Sequence, residues 1–598
     1  MLTDRSKIFK TSEDVYMTSK DLSWLPHLEN AVPPSGYGNR LSMYLIALEA
    51  WRRGISVKFF WLKNPENKML IRYILSYKGK EHYFESSMGD KLSDEAFRIC
   101  ENKDETKKYL ENAGIPVPKG KMFRANAKNE DILKYAQSLG YPLVIKPRSE
   151  NAGKGVVANI QNEDALKNAL FHVKYDLGYG DVIVEQYIPG IEYRILMVNE
   201  EIVGAVNRMP ANVVGDGEHS IKELINIKNK SRKNNPNIAS KTIKLDNEVL
   251  DSIHALNYNL DSVPKDGERI LLRKKSNVSM GGDPIDVTDQ LTDELKEIAL
   301  KAVRAIPNLG VCGLDMIVDE KKKTGSIIEI NTKPMIGLHM FPVKGKARDV
   351  VKPIVDYYFP ETKEKERSLL YFDFNAALAP IRNHITNHIE VSPPSPRTKL
   401  VGKKFIVSIK NESEVNYRSW VRFKALEKGF HGYVKKIADE KVEIVIVGSD
   451  EYDVNHFKNI CLTGPKNAVI DDVTISDWYK PVKIGFEIQK QSLEEANKKL
   501  KREIKNVQSK YKKLIQKNRK LTKEKNTTKE NNSKLKKQLR KSKQKIERYV
   551  KANQELNNQM TMIEHERDQI KRSYDKILQS RSWRYTKFFR TLLSKLKK

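Results

Sequence analysis

Gly313-Leu314-Asp315-Met316-Ile317 and, after a turn, Ile327-Ile328-Glu329-Ile330-Asn331 read as two short apolar strands that each end on oxygen-bearing side chains. Asp315, Glu329 and Asn331 then make an acid, acid and amide set of hard ligands, the kind a divalent cation shares with phosphate oxygens. Two solvated rim carboxylates would look the same in isolation. What lies upstream separates the two readings.

Tyr141-Pro-Leu-Val-Ile-Lys146-Pro is an apolar strand ending on one lysine, and Asn151-Ala-Gly153-Lys154-Gly155-Val156 follows it as a glycine-rich turn. A fixed cation beside backbone N–H groups that no Cβ shields is what a triphosphate requires. The turn is not a Walker loop, because the GK[ST] ending is missing. Further on, Asp181-Val-Ile-Val-Glu185-Gln-Tyr-Ile188-Pro-Gly-Ile-Glu192-Tyr-Arg194 gives another strand and turn. Glu185 and Glu192 can accept hydrogen bonds there from an adenine amino group and from ribose hydroxyls.

These blocks, in this order, resemble the ATP-grasp family of carboxylate–amine ligases. The likeness continues through Arg208-Met-Pro-Ala, Gly215-Asp-Gly, Leu272-Arg273, Asn277-Val-Ser279-Met-Gly281-Gly282 and the run from Pro334 to His339, covering roughly Lys103 to Pro360. Over that length it is most similar to the cyanophycin synthetases and to the ATP-grasp part of the bifunctional glutathione-forming ligases.

The resemblance implies that Lys103 and Lys146 contact the phosphates, that the Gly153, Lys154 and Gly155 loop closes over them, and that Glu185, the Ile188 backbone and Glu192 hold adenosine. Arg208 and Arg273 would steady the transferring phosphoryl group. Asp315, Glu329 and Asn331 would carry two Mg²⁺ ions, with Mn²⁺ as the alternative. Arg194, Asn277, Ser279, Gly281, Gly282 and His339 fall on the substrate side. The implied reaction joins a small-molecule carboxylate, an amino acid or peptide, to an amine through an acyl phosphate, with alignment and charge neutralisation as the protein's main work. One departure is Asn331-Thr-Lys333-Pro334-Met335, where the family often has Asn-x-x-Pro-Gly; Lys333 reads as a solvated charge.

Residues 400–487 read strand, helix, two strands, helix, strand, an order that implies an α+β ferredoxin-like sandwich. Tyr417-Arg418, Gly429-Phe-His-Gly432-Tyr-Val and Lys441-Val-Glu-Ile-Val-Ile-Val-Gly448 resemble acylphosphatase, with Arg418 as the catalytic arginine. Two departures oppose hydrolysis: Glu414 stands in the expected phosphate loop, and Lys436 takes the place of the asparagine that positions water. A carboxylate in an anion cradle repels the ligand, and a protonated lysine cannot take a proton from water. The expectation is an acylphosphatase-like module without turnover, with acyl-phosphate hydrolysis as the alternative.

At 598 residues the chain is too long for one core. The expected divisions are an α/β region at 1–100, the ATP-grasp domain at 101–360, a charged and proline-rich linker at 361–399, the acylphosphatase-like domain at 400–487, a long α-helical coiled coil at 488–580 and a basic amphipathic tail at 581–598. The coiled coil rests on a 3-4 spacing from Ile504 to Ile577 and predicts self-association. About +23 of the net charge of +31 lies beyond residue 486, so the appendage, rather than the catalytic part, is the element suited to an acidic surface. Trp583, Phe588, Phe589, Leu592 and Leu593 interleaved with Arg and Lys suit an anionic membrane. Nucleic acid is disfavoured because no binding module is present. Three scattered cysteines and no apolar secretory leader predict a cytoplasmic protein, peripheral at the inner face of the membrane. A nucleotide-binding scaffold in cell-envelope assembly is the competing reading.

Overall fold

Helix α1 (Leu41–Arg52) is buried along its whole length, because apolar residues occupy every face of it. It packs on β1 (Ser56–Lys63) and β2 (Met69–Tyr77) of an antiparallel sheet completed by β3 (Lys80–Glu85) and β4 (Met88–Gly89). The strand His388–Val391 closes the far edge of that sheet against β1. The computed structural model describes residues 24–148, 155–273, 276–394, 399–489, 509, 511, 537–551 and 553–554.

After α2 (Asp94–Glu101) and α3 (Lys103–Asn112), the elements β5 (Gly120–Phe123), α4 (Asn129–Leu139), β6 (Leu143–Pro147), β7 (Val157–Ile160), α5 (Glu163–Phe171) and β8 (Val182–Gln186) build a four-stranded sheet in the order β5-β8-β6-β7. Ile132, Ala136, Leu166 and Leu170 from its two helices share one core with Leu143, Ile145 and Val182. A second sheet begins with the hairpin β9 (Ile191–Val198) and β10 (Glu201–Met209). An excursion follows through β11 (Asn212–Val214), α6 (Ile221–Arg232), α7 (Asn247–His254) and β12 (Arg269–Leu271), in which β11 pairs with β12. With β13 (Asp283–Asp286), β14 (Val311–Asp319) and β15 (Thr324–Asn331), the sheet reads β13-β10-β9-β14-β15. Its core face is covered by α8 (Asp293–Arg304), which Thr292 caps by accepting from the Leu295 N–H. Leu295, Ile298, Ala299, Ala302 and Val303 recur at helical spacing and bury against Ile195, Leu314 and Ile330. Short α9 (Gly337–Met340) and α10 (Val351–Tyr358) lead to β16 (Leu370–Tyr371), α11 (Phe374–Arg382) and β17 (His388–Val391).

The second unit holds β18 (Val401–Ile409), α12 (Tyr417–Glu427), β19 (His431–Ala438), β20 (Lys441–Gly448), α13 (Glu451–Thr463) and β21 (Ile470–Asp477). This is the expected ferredoxin-like order, and Phe405, Val421, Ile444 and Phe457 sit in its core. After the two-residue β22 (Val482–Lys483), β23 (Phe486–Gln489) adds a fifth strand parallel to β19.

Two expected boundaries differ from the observed ones. Residues 361–399, expected as a linker, contribute β16 and β17, and β17 is an integral edge strand. Residues 400–487, expected as one block, are divided: Tyr479–Ile484 belongs to the first unit, where β22 pairs with β16. Both segments are short and owe their structure to distant partners, so no local periodicity announces them. In the expected coiled coil, residues 537–551 are helical, and Leu539, Ser542 and Ile546 are less exposed than their neighbours at 3-4 spacing. Residues 488 and 489, expected to open the coil, instead end strand β23, where pairing with β19 holds them extended. The other coiled-coil positions, apart from residues 509, 511, 553 and 554, and the tail lie outside the described residues. Among the described residues no helix is long and apolar enough to cross a membrane.

Candidate functional site

β14 is a nearly continuous apolar run because it lies inside the sheet with both neighbours paired. Asp315 interrupts that run at mid-strand rather than at the strand end expected for it. The register sets Asp315 opposite Arg194 on β9 and opposite Glu329 on β15, with a bulge after Asp315. The Asp315 carboxylate accepts from Arg194 Nε, from Arg194 Nη2 at 2.8 Å and from Arg208 Nη2 at 2.8 Å. Burial pushes its acidity down, but the two guanidiniums outweigh burial and hold the carboxyl below the usual carboxylate range. Arg208, on β10, also pairs with Glu192. Gly313, two residues before Asp315, leaves room for the aliphatic stem of Arg194, whose Cδ would lie 3.1 Å from an added Cβ.

Glu329 is more open, with Lys103 Nζ 3.9 Å away at the first turn of α3. Lys103, Lys107, Lys121, Lys146, Glu185 and Glu329 line one cleft in the first unit. Lys146 Nζ, at the end of β6, meets Glu185 Oε1 on β8 at 2.5 Å, both side chains being buried. Lys107, one helical turn from Lys103, and Lys121 add positive charge to the cleft, and of the two only Lys121 was left out by the sequence reading. Burial lowers the Lys107 ammonium below the ordinary lysine value, against the pull of Glu185.

Gly155 has φ +70° and packs so closely on Pro147 that an added Cβ would lie 2.7 Å from that ring. Gly153 and Lys154 lie outside the described residues. Ile188 is half-buried in the β8–β9 connection. Arg273 is held by Asp246 at 2.5 Å and by Glu248, a different pair of carboxylates from those around Asp315. Asn277 Oδ1 accepts from the Ser279 N–H at 2.8 Å and organises a tight turn. Gly281 takes φ +99° in that turn, and Gly282 approaches the Met209 carbonyl at a distance that excludes a Cβ. His339 is buried on α9, and burial lowers its imidazole to about 3.

Asp315, Glu329 and Asn331 suit a hard cation that keeps waters and phosphate oxygens in its shell, since only oxygen donors are offered and Glu329 remains accessible. No group of three or more His, Cys, Asp and Glu residues able to hold a metal occurs among the described residues, so phosphate oxygens would have to complete such a shell.

In the second unit Arg418 Nε donates to Glu412 Oε1 at 2.6 Å, and Lys436 Nζ lies 3.8 Å from Glu412 Oε2. Glu412 is buried whereas Glu414 is exposed. The carboxylate beside the arginine is therefore Glu412, two residues ahead of the one expected. The turn Asn411–Asn416, ending on Asn416 with φ +50°, decides which side chain points inward.

These features set an α/β unit with a cleft lined by lysines and glutamates ahead of a small α+β sandwich. Residues 100–336 match the ATP-grasp domain, and residues 413–488 match acylphosphatase. The chain carries both domains. It is 34% identical over 333 residues to the glutathione biosynthesis bifunctional protein GshAB of Clostridium perfringens, covering 53% of this chain and 41% of that protein. Against the cyanophycin synthetase of Crocosphaera subtropica it is 32% identical over 273 residues, covering 44% of this chain and 31% of the relative. Among solved structures, a bifunctional glutathione synthetase from Pasteurella multocida aligns with 31% identity and a TM-score of 0.40, covering 48% of this chain and 41% of that one. The chain thus spans about two fifths of the length of the curated relatives it matches first.

Proposed function

We propose that the first unit catalyses ATP-dependent joining of a small carboxylate to an amine. A substrate carboxylate oxygen attacks the γ-phosphorus of ATP, ADP leaves, and the acyl phosphate so formed is opened by an amine, releasing phosphate and an amide. Arg208 is the residue that turns this geometry into chemistry: bound to Asp315 at rest, it can swing its guanidinium onto the phosphoryl group as negative charge builds there. Arg194 stays behind as the fixed partner of Asp315. Lys103 and Lys146 face the same cleft and supply the cations for the β- and γ-phosphates, while Glu185 and Glu192 accept from the nucleoside. Mg²⁺ held by Asp315, Glu329 and Asn331 would neutralise the phosphate oxygens and polarise the γ-phosphorus.

The single observation that carries the reading is the three-strand register that sets Arg194, Asp315 and Glu329 side by side. The test is Mg²⁺-dependent ADP release by the full-length protein over a matrix of amino acids, short peptides and amino sugars. Release that needs both a carboxylate and an amine supports ligation; tight ATP binding with no release across the matrix supports a scaffold instead. For the second unit, the Arg418–Glu412 pair favours a module without hydrolysis. We assign self-association to the 3-4 seam around Leu539 and Ile546, which sedimentation at graded concentrations reads directly.

A further inference from the structure

A second pocket, of about 410 Å³, lies within the first unit. Among the described residues it shares no lining side chain with the cleft of lysines and glutamates. Its volume falls in the range that small-molecule sites occupy, roughly 300–1,000 Å³. Three segments far apart in the chain build it: Trp24, Asn30 and Tyr37 from the arm ahead of α1, Tyr371 and Asp373 from β16 and the turn after it, and Lys483 from β22.

Hydrogen bonds hold these segments in place. Gly36 N donates to Pro33 O at 2.8 Å and Tyr37 N to Pro34 O at 3.1 Å, a turn whose two prolines have little backbone freedom to lose. Trp24 packs edge-on against Phe341 with ring centres 5.4 Å apart. Val482 N donates to Leu369 O and Ile484 N to Tyr371 O, both at 2.9 Å, so Lys483 stands between two fastened neighbours. Lys480 meets Glu29 at 2.6 Å and ties the returning segment to the arm. Walls fixed in advance leave little ordering cost for a ligand to meet.

The lining offers two kinds of surface at once. Trp24, Tyr37 and Tyr371 are broad and apolar, whereas Asn30, Asp373 and Lys483 are polar. Asp373 Oδ1 is already used at the start of α11, where it accepts from the Asn375 and Ala376 N–H groups at 3.0 Å. Asp373 Oδ2 stands 3.9 Å from Lys483 Nζ, farther than a hydrogen bond reaches. The Asp373 side chain is 43% exposed and that of Lys483 29%, so a ligand can reach both.

Among the described residues these two are the charged groups of the lining, and they offset each other. An anion would meet Asp373 and a cation would meet Lys483. A wholly apolar ligand would cover the amide, the carboxylate and the ammonium without pairing them. What satisfies all six side chains is an uncharged ring with apolar C–H faces and a rim of hydroxyls, each both donor and acceptor.

We propose that this pocket binds a saccharide, an uncharged pyranose whose C–H face lies against the aromatic side chains and whose hydroxyls are shared by Asn30, Asp373 and Lys483. The site is independent of the ligase reading. Because Lys483 arrives with β22, it is complete only when that strand has paired with β16. The same ring can come from a glycan end or from a sugar carried on a nucleoside diphosphate.

The experiment titrates the full-length protein by calorimetry with glucose, N-acetylglucosamine, maltotriose, chitotriose and UDP-N-acetylglucosamine, the lysine–glutamate cleft being kept filled with a non-hydrolysable ATP analogue. Wild type should bind at least one of them. Tyr37→Ala and Asp373→Asn should each weaken it about tenfold or more while the ATP analogue's affinity stays within about twofold. Asp373→Asn keeps a capping oxygen for α11 and so serves should Tyr37→Ala melt earlier than wild type. Tighter binding of a trisaccharide assigns a glycan end, and tighter binding of the UDP-sugar assigns a nucleotide-linked source. Four outcomes overturn the proposal: no sugar bound by wild type, equal affinity in both variants, tetramethylammonium bound more tightly than every sugar, or sugar bound only by a chain begun at residue 24, which would give the pocket to the protein's own first residues.

Discussion

Asp315 has two duties that substitution can separate. It is the partner of two arginines and, in the proposed site, a hard ligand. Asp315→Asn leaves Arg194 facing an amide in a buried site, so it should cost about 3–5 kcal/mol of stability as well as nearly all ADP release. Glu329, partly exposed and 3.9 Å from Lys103, carries little of the fold. Glu329→Gln should therefore lower kcat by about 100-fold or more with a thermal midpoint shifted by no more than about 2 °C. Calorimetry and an ADP assay on both variants check this, and full activity in Glu329→Gln would sink the metal assignment. His339 gives a pH signature of its own. Its imidazole titrates near 3 when folded, below the ordinary 6.5, so the unfolded chain takes up the proton first. Stability from this group is complete above pH 6.5 and is lost as pH falls from there toward 3, amounting to about 2 kcal/mol by pH 5. His339→Gln should shrink the fall in urea midpoint between pH 7.5 and 5, and His27, lowered to about 4 mainly by burial, should supply the remainder. At this scale the proposed ligands Asp315, Glu329 and Asn331 are legible in the sequence, because polar side chains inside apolar strands stand out, and the register sets the first two opposite each other. The pocket lined by Tyr37, Tyr371 and Lys483 is illegible, because its walls come from segments far apart in the chain that only the fold brings together.

Among the elements, the turn ahead of α12 shows how a small geometric choice changes chemistry. Glu412 occupies the position beside Arg418 where an anionic ligand would sit, so the arginine is neutralised from within. Glu412→Gln should expose a weak anion site: phosphate should raise the melting temperature of the variant's second unit and leave wild type unmoved, while benzoyl phosphate hydrolysis stays low because Lys436 cannot act as a base for water while protonated. Phosphate stabilising both proteins equally would refute the internal-occupant account. The ferredoxin-like order was readable from alternating apolar strands and two amphipathic helices. What could not be read was which glutamate turns inward, since that depends on the left-handed Asn416 rather than on composition.

For the whole molecule, the decisive feature is that the first unit reclaims Tyr479–Ile484 before the second unit takes the chain back at Gly485. Within the first unit β22 pairs in parallel with β16, Ile484 N bonds Tyr371 O at 2.9 Å, and Lys480 meets Glu29 at 2.6 Å. A chain ended after residue 399 lacks all three and should melt about 2–4 °C lower in its first unit than a chain ended after residue 489. Scanning calorimetry of the two decides it, and identical midpoints would show the returning segment to be idle. Such a closing stitch also imposes an order on biosynthesis. While the ribosome is still making the sandwich, the first unit must wait with one seam unsewn, so any nascent-chain stall before residue 484 would leave it assembled around its cleft yet not fastened at its margin.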